Sequence, residues 1–161
     1  MQLTMIFKGS KPASAHTLPG QIRPFTTNEV PVLAQLYFDS YPQGTVEDVA
    51  EAEADISAAL RGDYGTFLPQ ANLVYVVDGQ IVGCVMTVDS PPWDDVSDLL
   101  FIIDVFIHPK VRGTGVGRAL MQAALSNLPE HRPVGLRVES DNEPAYALYR
   151  SLGFKEVTPA K

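Results

Sequence analysis

Cysteine is almost missing: Cys84 is the only one in 161 residues, so no intrachain disulfide can form. It sits in the apolar run Ile81 to Val88, where a thiol is a small core hydrophobe rather than a reactive group. The three histidines, His16, His108 and His131, are scattered, and no stretch has the spacing of metal ligands. No apolar run reaches membrane-spanning length, which argues against a membrane protein. The N-terminus lacks a basic start followed by a long apolar core, so a secretory signal is not expected and the cytoplasm is the expected location. Basic residues are missing from the middle of the chain. Residues 24 to 109 hold fourteen acids against Arg61 alone, a balance of −13.

What is present is a chain of one-domain length, 45% hydrophobic, with a mean hydropathy of +0.02. The segments on either side of the acidic one each carry +3, so the net charge of −7 hides a division of the chain by sign. A nucleic-acid partner for the acidic part is disfavoured by charge repulsion.

The most informative stretch runs from Leu99 to Leu120. Its apolar start, Leu99 to Ile107, is broken once by Asp104 and closed by His108 and Pro109. Arg112, Gly113, Thr114, Gly115, Val116 and Gly117 follow, and Ala119, Leu120, Ala123 and Ala124 then begin a helical pattern. A buried strand, a tight glycine loop and a helix start are predicted. Free N–H groups and the helix dipole make such a junction attractive to a pyrophosphate. The loop lacks the Lys-Ser/Thr ending of a P-loop, and no strand with a ribose-binding acid follows as a dinucleotide fold requires.

Around this centre the predicted elements alternate. Gln21 to Pro24 reads as a brief strand, and Thr26 with Glu29 as a capping box for a helix to about Tyr41, stopped by Pro42 and Gly44. Thr45 is placed to cap a second helix that Gly62 ends. Leu73 to Val77 and Gln80 to Val88 are strands joined by the hairpin signal Asp78-Gly79. After the third helix come a strand at Val134 to Val138, a helix begun at Asn142 or Glu143 and ended by Gly153, and a short strand from Phe154 to Thr158. The pattern predicts a mixed α/β sheet with helices on both faces.

Two segments carry a resemblance to a known family. The loop from Arg112 to Gly117 is similar to the Gln/Arg-x-x-Gly-x-Gly/Ala signature of the GNAT superfamily of acyl-CoA-dependent N-acyltransferases. Asn142, Ala145, Leu148, Tyr149, Gly153 and Phe154 resemble a second family segment, in the right order. The likeness covers Leu73 to Val157, and before Leu73 only element order agrees. It implies a GNAT-like mixed sheet of about six to seven strands, splayed where acyl-CoA lies. It also implies acetyl-CoA as acyl donor, with no metal. The backbone of Val105, Phe106 and Ile107 would then bind pantetheine, and the loop Arg112, Gly113, Thr114, Gly115, Val116, Gly117 and Arg118 the pyrophosphate, with Lys110 adding charge. By the same likeness Asn142 would contact the cofactor, and Tyr149 would protonate the departing thiolate and touch the cofactor.

Asp104 stands out on its own chemistry. A carboxylate among Phe101, Ile102, Ile103, Val105, Phe106 and Ile107 is costly to bury unless it is paired or opens onto a cavity. Its pKa should rise, which suits a general base toward an ammonium acceptor. Strand alternation places it on one face with Ile102, Phe106 and His108. Glu139, Asp98 and Asp89 are the reserve carboxylates. Trp93 reads as a loop anchor or as part of a lip that receives a cation. The expected activity is acetyl transfer to a primary amine, with a small cationic molecule as acceptor; protein acceptors and a non-catalytic CoA-binding module are the alternatives. Residues 1 to 20 read as an N-terminal extension before a single acetyltransferase domain at 21 to 161. Within the extension, Leu3 to Phe7 is a candidate added strand, in its own subunit or swapped into a partner as a homodimer.

Overall fold

The computed structural model describes residues 1–11, 18–41 and 46–157. Among these, eight strands form one sheet: β1 (Gln2–Phe7), β2 (Gln21–Pro24), β3 (Thr66–Phe67), β4 (Leu73–Val77), β5 (Gln80–Asp89), β6 (Leu100–Ile107), β7 (Val134–Glu139) and β8 (Lys155–Glu156). Four helices accompany it: α1 (Val30–Ser40), α2 (Val49–Arg61), α3 (Val116–Ser126) and α4 (Glu143–Leu152). The strands lie in the order β2-β4-β5-β6-β7-β1-β8, and β3 pairs with β5 beyond the end of β4. Every pairing is antiparallel except β6 with β7.

Local chemistry accounts for the element ends. Asp78 (φ 50°) and Gly79 (φ 78°) make the tight turn of the β4–β5 hairpin, where both central residues need positive φ. The capping box at Thr26 and Glu29 opens a short 3₁₀ turn rather than α1 itself. Asp48, not Thr45 as expected, caps α2, accepting the N–H of Glu51 at 2.9 Å because the helix begins only at Val49, and Gly62 ends it in the left-handed conformation. The expected stop at Pro42 and Gly44 and the end of the last strand at Thr158 lie outside the described residues.

Two apolar layers cover the sheet. On one face α3 and α4 bury Leu120, Met121, Leu125 and Tyr149 against Met5, Leu73, Tyr75, Val85 and Leu136. On the other, α1 and α2 bury Leu33, Ala34 and Ile56 against Val74, Cys84, Met86 and Phe106. Strand alternation sorts these sets, with Cys84 and Met86 facing one layer and Val85 the other.

One short strand departs from the expectation, and the candidate N-terminal strand bears it out. The strand count exceeds six to seven, because Thr66–Phe67 adds a two-residue strand that carries no pattern and because β1 joins the sheet. β1 lies in its own chain between β7 and β8, with Gln2 to Phe7 facing Glu139 to Val134. Met5 and Phe7 are buried, and the Phe7 ring sits 5.4 Å from that of Phe154.

Candidate active site

The site begins with an interruption in the sheet. β6 and β7 pair only from Leu100, Phe101 and Ile102 to Val134, Gly135 and Leu136. Beyond Ile102 the edge of β6 facing β7 is unpaired, which is the splay expected for an acyl-CoA site. On its other side β6 remains paired with β5 as far as Ile107. His108 donates its N–H to the Val82 carbonyl at 2.9 Å, and amides alternate along a strand, so those of Val105 and Ile107 face the gap while that of Phe106 faces β5. Of the three residues expected to offer backbone to a pantetheine, Val105 and Ile107 are therefore the two that present it.

A β-bulge sets the direction of Asp104. Met86 faces Asp104 and Thr87 faces Ile102, leaving Ile103 as an extra residue on β6. The alternation is reset there, which corrects the expectation that Asp104 and Ile102 share a face. Ile102 joins the α3/α4 layer, whereas Phe106 and Ile103 pack into the α1/α2 layer. The half-buried Asp104 accepts a hydrogen bond from the hydroxyl of Tyr41, the residue that follows α1.

Burial is the main cause that raises the Asp104 carboxyl to about 7; Asp55 on α2 adds to it, and the Tyr41 hydroxyl and the Val105 amide oppose it. The charge of Asp104 is felt all around it. Desolvation first, and this charge with it, raise Tyr37 on α1, Tyr41 just after it, Cys84 on β5 and Tyr149 on α4, the last to about 12. Tyr149 is buried in the α3/α4 layer beside Phe154. An acid from one face and a phenol from the other thus come within electrostatic reach of each other.

At the end of β6 the glycine loop leads into α3. Gly113 (φ 78°) and Gly115 (φ 96°) adopt backbone that side-chain-bearing residues rarely hold, and a Cβ at Gly113 would meet nothing within 4 Å. Gly117 faces Leu148 and Ile107, which a Cβ there would meet at ordinary contact distance. The amides of Gly113 to Gly117 meet no backbone acceptor among the described residues, and Gly115 caps α3 without a side-chain bond. A set of open donors at a helix start fits a pyrophosphate.

The charged and polar groups nearby divide. Lys110 is exposed, and Arg118 donates to Ser151 Oγ at 2.5 Å. Arg112 does not stand free beside the loop: its guanidinium donates to the carbonyl of Ser40, the last residue of α1. Asn142 caps α4, its side chain accepting the Ala145 N–H at 3.3 Å.

The reserve carboxylates lie elsewhere. Asp89 is held by Arg132 at 2.8 Å and drawn below its ordinary range, Glu139 lies 3.7 Å from the N-terminal amine, and Asp98 is exposed. Trp93 packs as an anchor, its ring 6.3 Å from Tyr64 and 5.7 Å from Phe101, with the Arg137 guanidinium 5.5 Å above it. Cys84 is fully buried, and burial pushes its thiol up, away from nucleophilic use. Tyr41 and Asp55 were missed by sequence reasoning. The signal available for Tyr41 was its four-residue spacing from Tyr37, whose ring lies 4.5 Å away, but that spacing equally describes a core stripe.

Among the described residues no helix is long and apolar enough to cross a membrane, and no group of acidic, histidine or cysteine side chains could hold a metal. Comparison with known proteins agrees with this geometry. Residues 31–154 match the Acetyltransferase (GNAT) family. The Escherichia coli peptidyl-lysine N-acetyltransferase YjaB is 47% identical over 51 residues, which are 32% of this chain and 33% of that protein. The E. coli peptidyl-lysine N-acetyltransferase YiaC is 27% identical over 133 residues, 83% of this chain and 82% of that one. The crystal structure of aminoglycoside N-acetyltransferase AAC(6')-Iy in complex with CoA superposes with a TM-score of 0.68 at 17% identity, covering 91% of this chain and 94% of the other. YjaB and two further curated relatives are matched over only 33% to 58% of their length. YjaB, YiaC and AAC(6')-Iy all carry the name of an N-acetyltransferase, and the AAC(6')-Iy structure holds CoA. With three quarters of its length matched, through the glycine loop and the gap beside it, the chain belongs to the GNAT family of acetyltransferases.

Proposed function

We propose that this protein transfers an acetyl group from acetyl-CoA to a primary amine on a small cationic acceptor, by direct attack. The observation that carries the reading is the placement of Asp104. It lies on β6 beside the stretch that β7 leaves unpaired, its carboxylate turned toward Tyr41 on the α1/α2 side, and the glycine loop follows the end of the same strand.

Acetyl-CoA, held by the loop amides with Lys110 and Arg118 nearby and by the backbone of Val105 and Ile107, supplies the activated acetyl group. The chain's own residues then manage protons and orientation. Asp104, poised near neutral pH by burial, takes a proton from the ammonium of the acceptor. The Val105 amide bonds the ionised Asp104 carboxylate and, once that group has taken the proton, is a donor for charge developing on the carbonyl oxygen. Tyr149, held neutral by burial and by the nearby carboxylate, gives its proton to the sulfur as the C–S bond breaks and is reprotonated by the second proton that the nitrogen loses on becoming an amide. The cationic character of the acceptor rests on the carboxylates gathered on this side, Asp104 with Asp55 and Glu51, where desolvation and mutual repulsion raise Asp55. A cation relieves that repulsion.

A lysine side chain in a protein is the second reading, favoured by YiaC, which matches over most of both chains and is named a peptidyl-lysine N-acetyltransferase. A panel of polyamines, aminoglycosides, amino acids and lysine peptides, followed by CoA release at low and high salt, separates the two. The first reading expects the polycations to win by at least about tenfold in kcat/KM, an advantage that salt reduces. A preference for neutral or anionic amines would show the acidic side to be only solvated surface.

A further inference from the structure

The two long-range bonds at the end of α1 form a chain that the proposed reaction does not use. Arg112 reaches from the glycine loop to the Ser40 carbonyl, and the adjacent Tyr41 reaches to Asp104. α1 has no basic residue in its own last turn, so its C-terminal carbonyls present uncompensated partial negative charge. Arg112 supplies the missing cation from a different part of the chain. Tyr41 has left the helix, with extended backbone (φ −96°, ψ 153°), its N–H on the Tyr37 carbonyl at 3.3 Å and its ring against that of Tyr37. Its hydroxyl direction therefore depends on how the last turn of α1 is held.

We infer that Tyr41 is a positioning residue for Asp104 and that Arg112 serves the acceptor side of the site, clamping α1 so that the Tyr41 hydroxyl meets the carboxylate. This rests on the reading of Asp104 as general base. It reassigns Arg112 from the phosphates, which the loop amides, Lys110 and Arg118 remain free to serve. The physical content is simple: a hydroxyl donating to a carboxylate favours its ionised, proton-accepting form and fixes which oxygen faces the acceptor.

The other groups facing Asp104 do not duplicate this role. From α1 Tyr37 faces it, from α2 Asp55, from β5 Cys84 and from α4 Tyr149, and on its own strand the Val105 amide. Asp55 opposes ionisation, and Tyr37, Cys84 and Tyr149 are neutral near pH 7 because each is raised. Arg112 does not act on Asp104 directly, so any effect of its removal on the titration must pass through α1.

The test is a set of pH profiles of kcat/KM for the best acceptor, with acetyl-CoA affinity measured separately by calorimetry. In the parent enzyme the acid limb should fall near pH 7. Tyr41→Phe, which keeps the ring packing, should move that limb upward by about one pH unit. Arg112→Gln should move it in the same direction by less, keep acetyl-CoA affinity within about threefold, and add nothing in the Tyr41→Phe background. An unmoved limb in Tyr41→Phe overturns the inference. So does an Arg112→Gln variant that loses tenfold or more in acetyl-CoA affinity with its limb in place. Asp104→Asn separates this inference from the reading beneath it. If that variant keeps the acid limb, Asp104 is not the base and both fail; if it loses the limb while Tyr41→Phe does not move it, only the positioning role fails.

Discussion

The two faces of the sheet treat charge in opposite ways. On the α3/α4 face the proposed working groups are backbone amides at a helix start that glycines display and that meet no backbone acceptor among the described residues. On the α1/α2 face they are side chains, Asp104 with Tyr37, Tyr41 and Asp55, in an apolar layer that raises every one of them. On the proposed reading the first arrangement would bind an anion with groups whose charge cannot be titrated away. The second would meet a cation with groups whose charge depends on burial, neighbours and pH. A transferase that must hold a polyphosphate throughout and move a proton once has reason to build its two halves from these different materials.

Tyr149 is where the faces meet, and its loss should give the largest effect that leaves both of them intact. Tyr149→Phe keeps the packing on Phe154 and removes only a proton donor. Turnover should fall by about a hundredfold with acetyl-CoA affinity nearly unchanged, as seen by steady-state kinetics beside calorimetry. A fall in affinity to match would place Tyr149 among the binding groups of the donor face.

The α3/α4 face was the legible one, for a physical reason. A loop that binds through its amides must advertise itself with glycines at fixed spacing, and Gly113, Gly115 and Gly117 do so in the sequence. The helix after Asn142 and the hairpin at Asp78-Gly79 were legible in the same way, because local backbone chemistry sets them. Asp104 was legible as an anomaly, a carboxylate inside an apolar run. Its direction was not, because the bulge at Ile103 leaves no trace in the alternation of an all-apolar strand. Tyr41, Asp55 and the contact of Arg112 with Ser40 were hidden for a further reason: they depend on where α1 and α2 come to rest, which is decided by packing. β1 shows the same limit, since a short run with four apolar residues in six does not say which strands it will pair with.

A charge placed in the loop should break the donor face alone. Thr114 is exposed, its hydroxyl donates only to the Val111 carbonyl, and it is not a positive-φ position, so Thr114→Glu adds a negative charge without straining the backbone. Acetyl-CoA raises the melting temperature of a protein that binds it. In Thr114→Glu that rise should shrink by the equivalent of about tenfold in affinity, while the melting temperature without ligand stays within about two degrees. An undiminished rise would mean that the pyrophosphate lies away from these amides.

The smallest effect sharpens the comparison at the other end of α1. Glu29 accepts two bonds from Arg23, at 2.8 and 2.7 Å, and the Thr26 N–H at 3.0 Å, ahead of the first turn of the helix. The Arg23 hydrogen bonds are the chief cause that lowers its carboxyl to about 2. Because the folded-state pKa lies below the unfolded value, this group stabilises the fold fully above about pH 4.5, and that contribution is lost as pH falls toward 2. The pair is partly exposed, so solvent screens most of the gain, and Glu29→Gln should cost only about 1 kcal/mol at pH 7. Urea titrations of the two proteins should converge as the pH approaches 2. Arg112 and Tyr41 secure the opposite end of the helix, so the acid limb of kcat/KM should stay where it is in Glu29→Gln. A limb that moved with this variant would show that α1 transmits disturbance along its whole length, and that the direction of Asp104 depends on both ends of the helix instead of on its last turn.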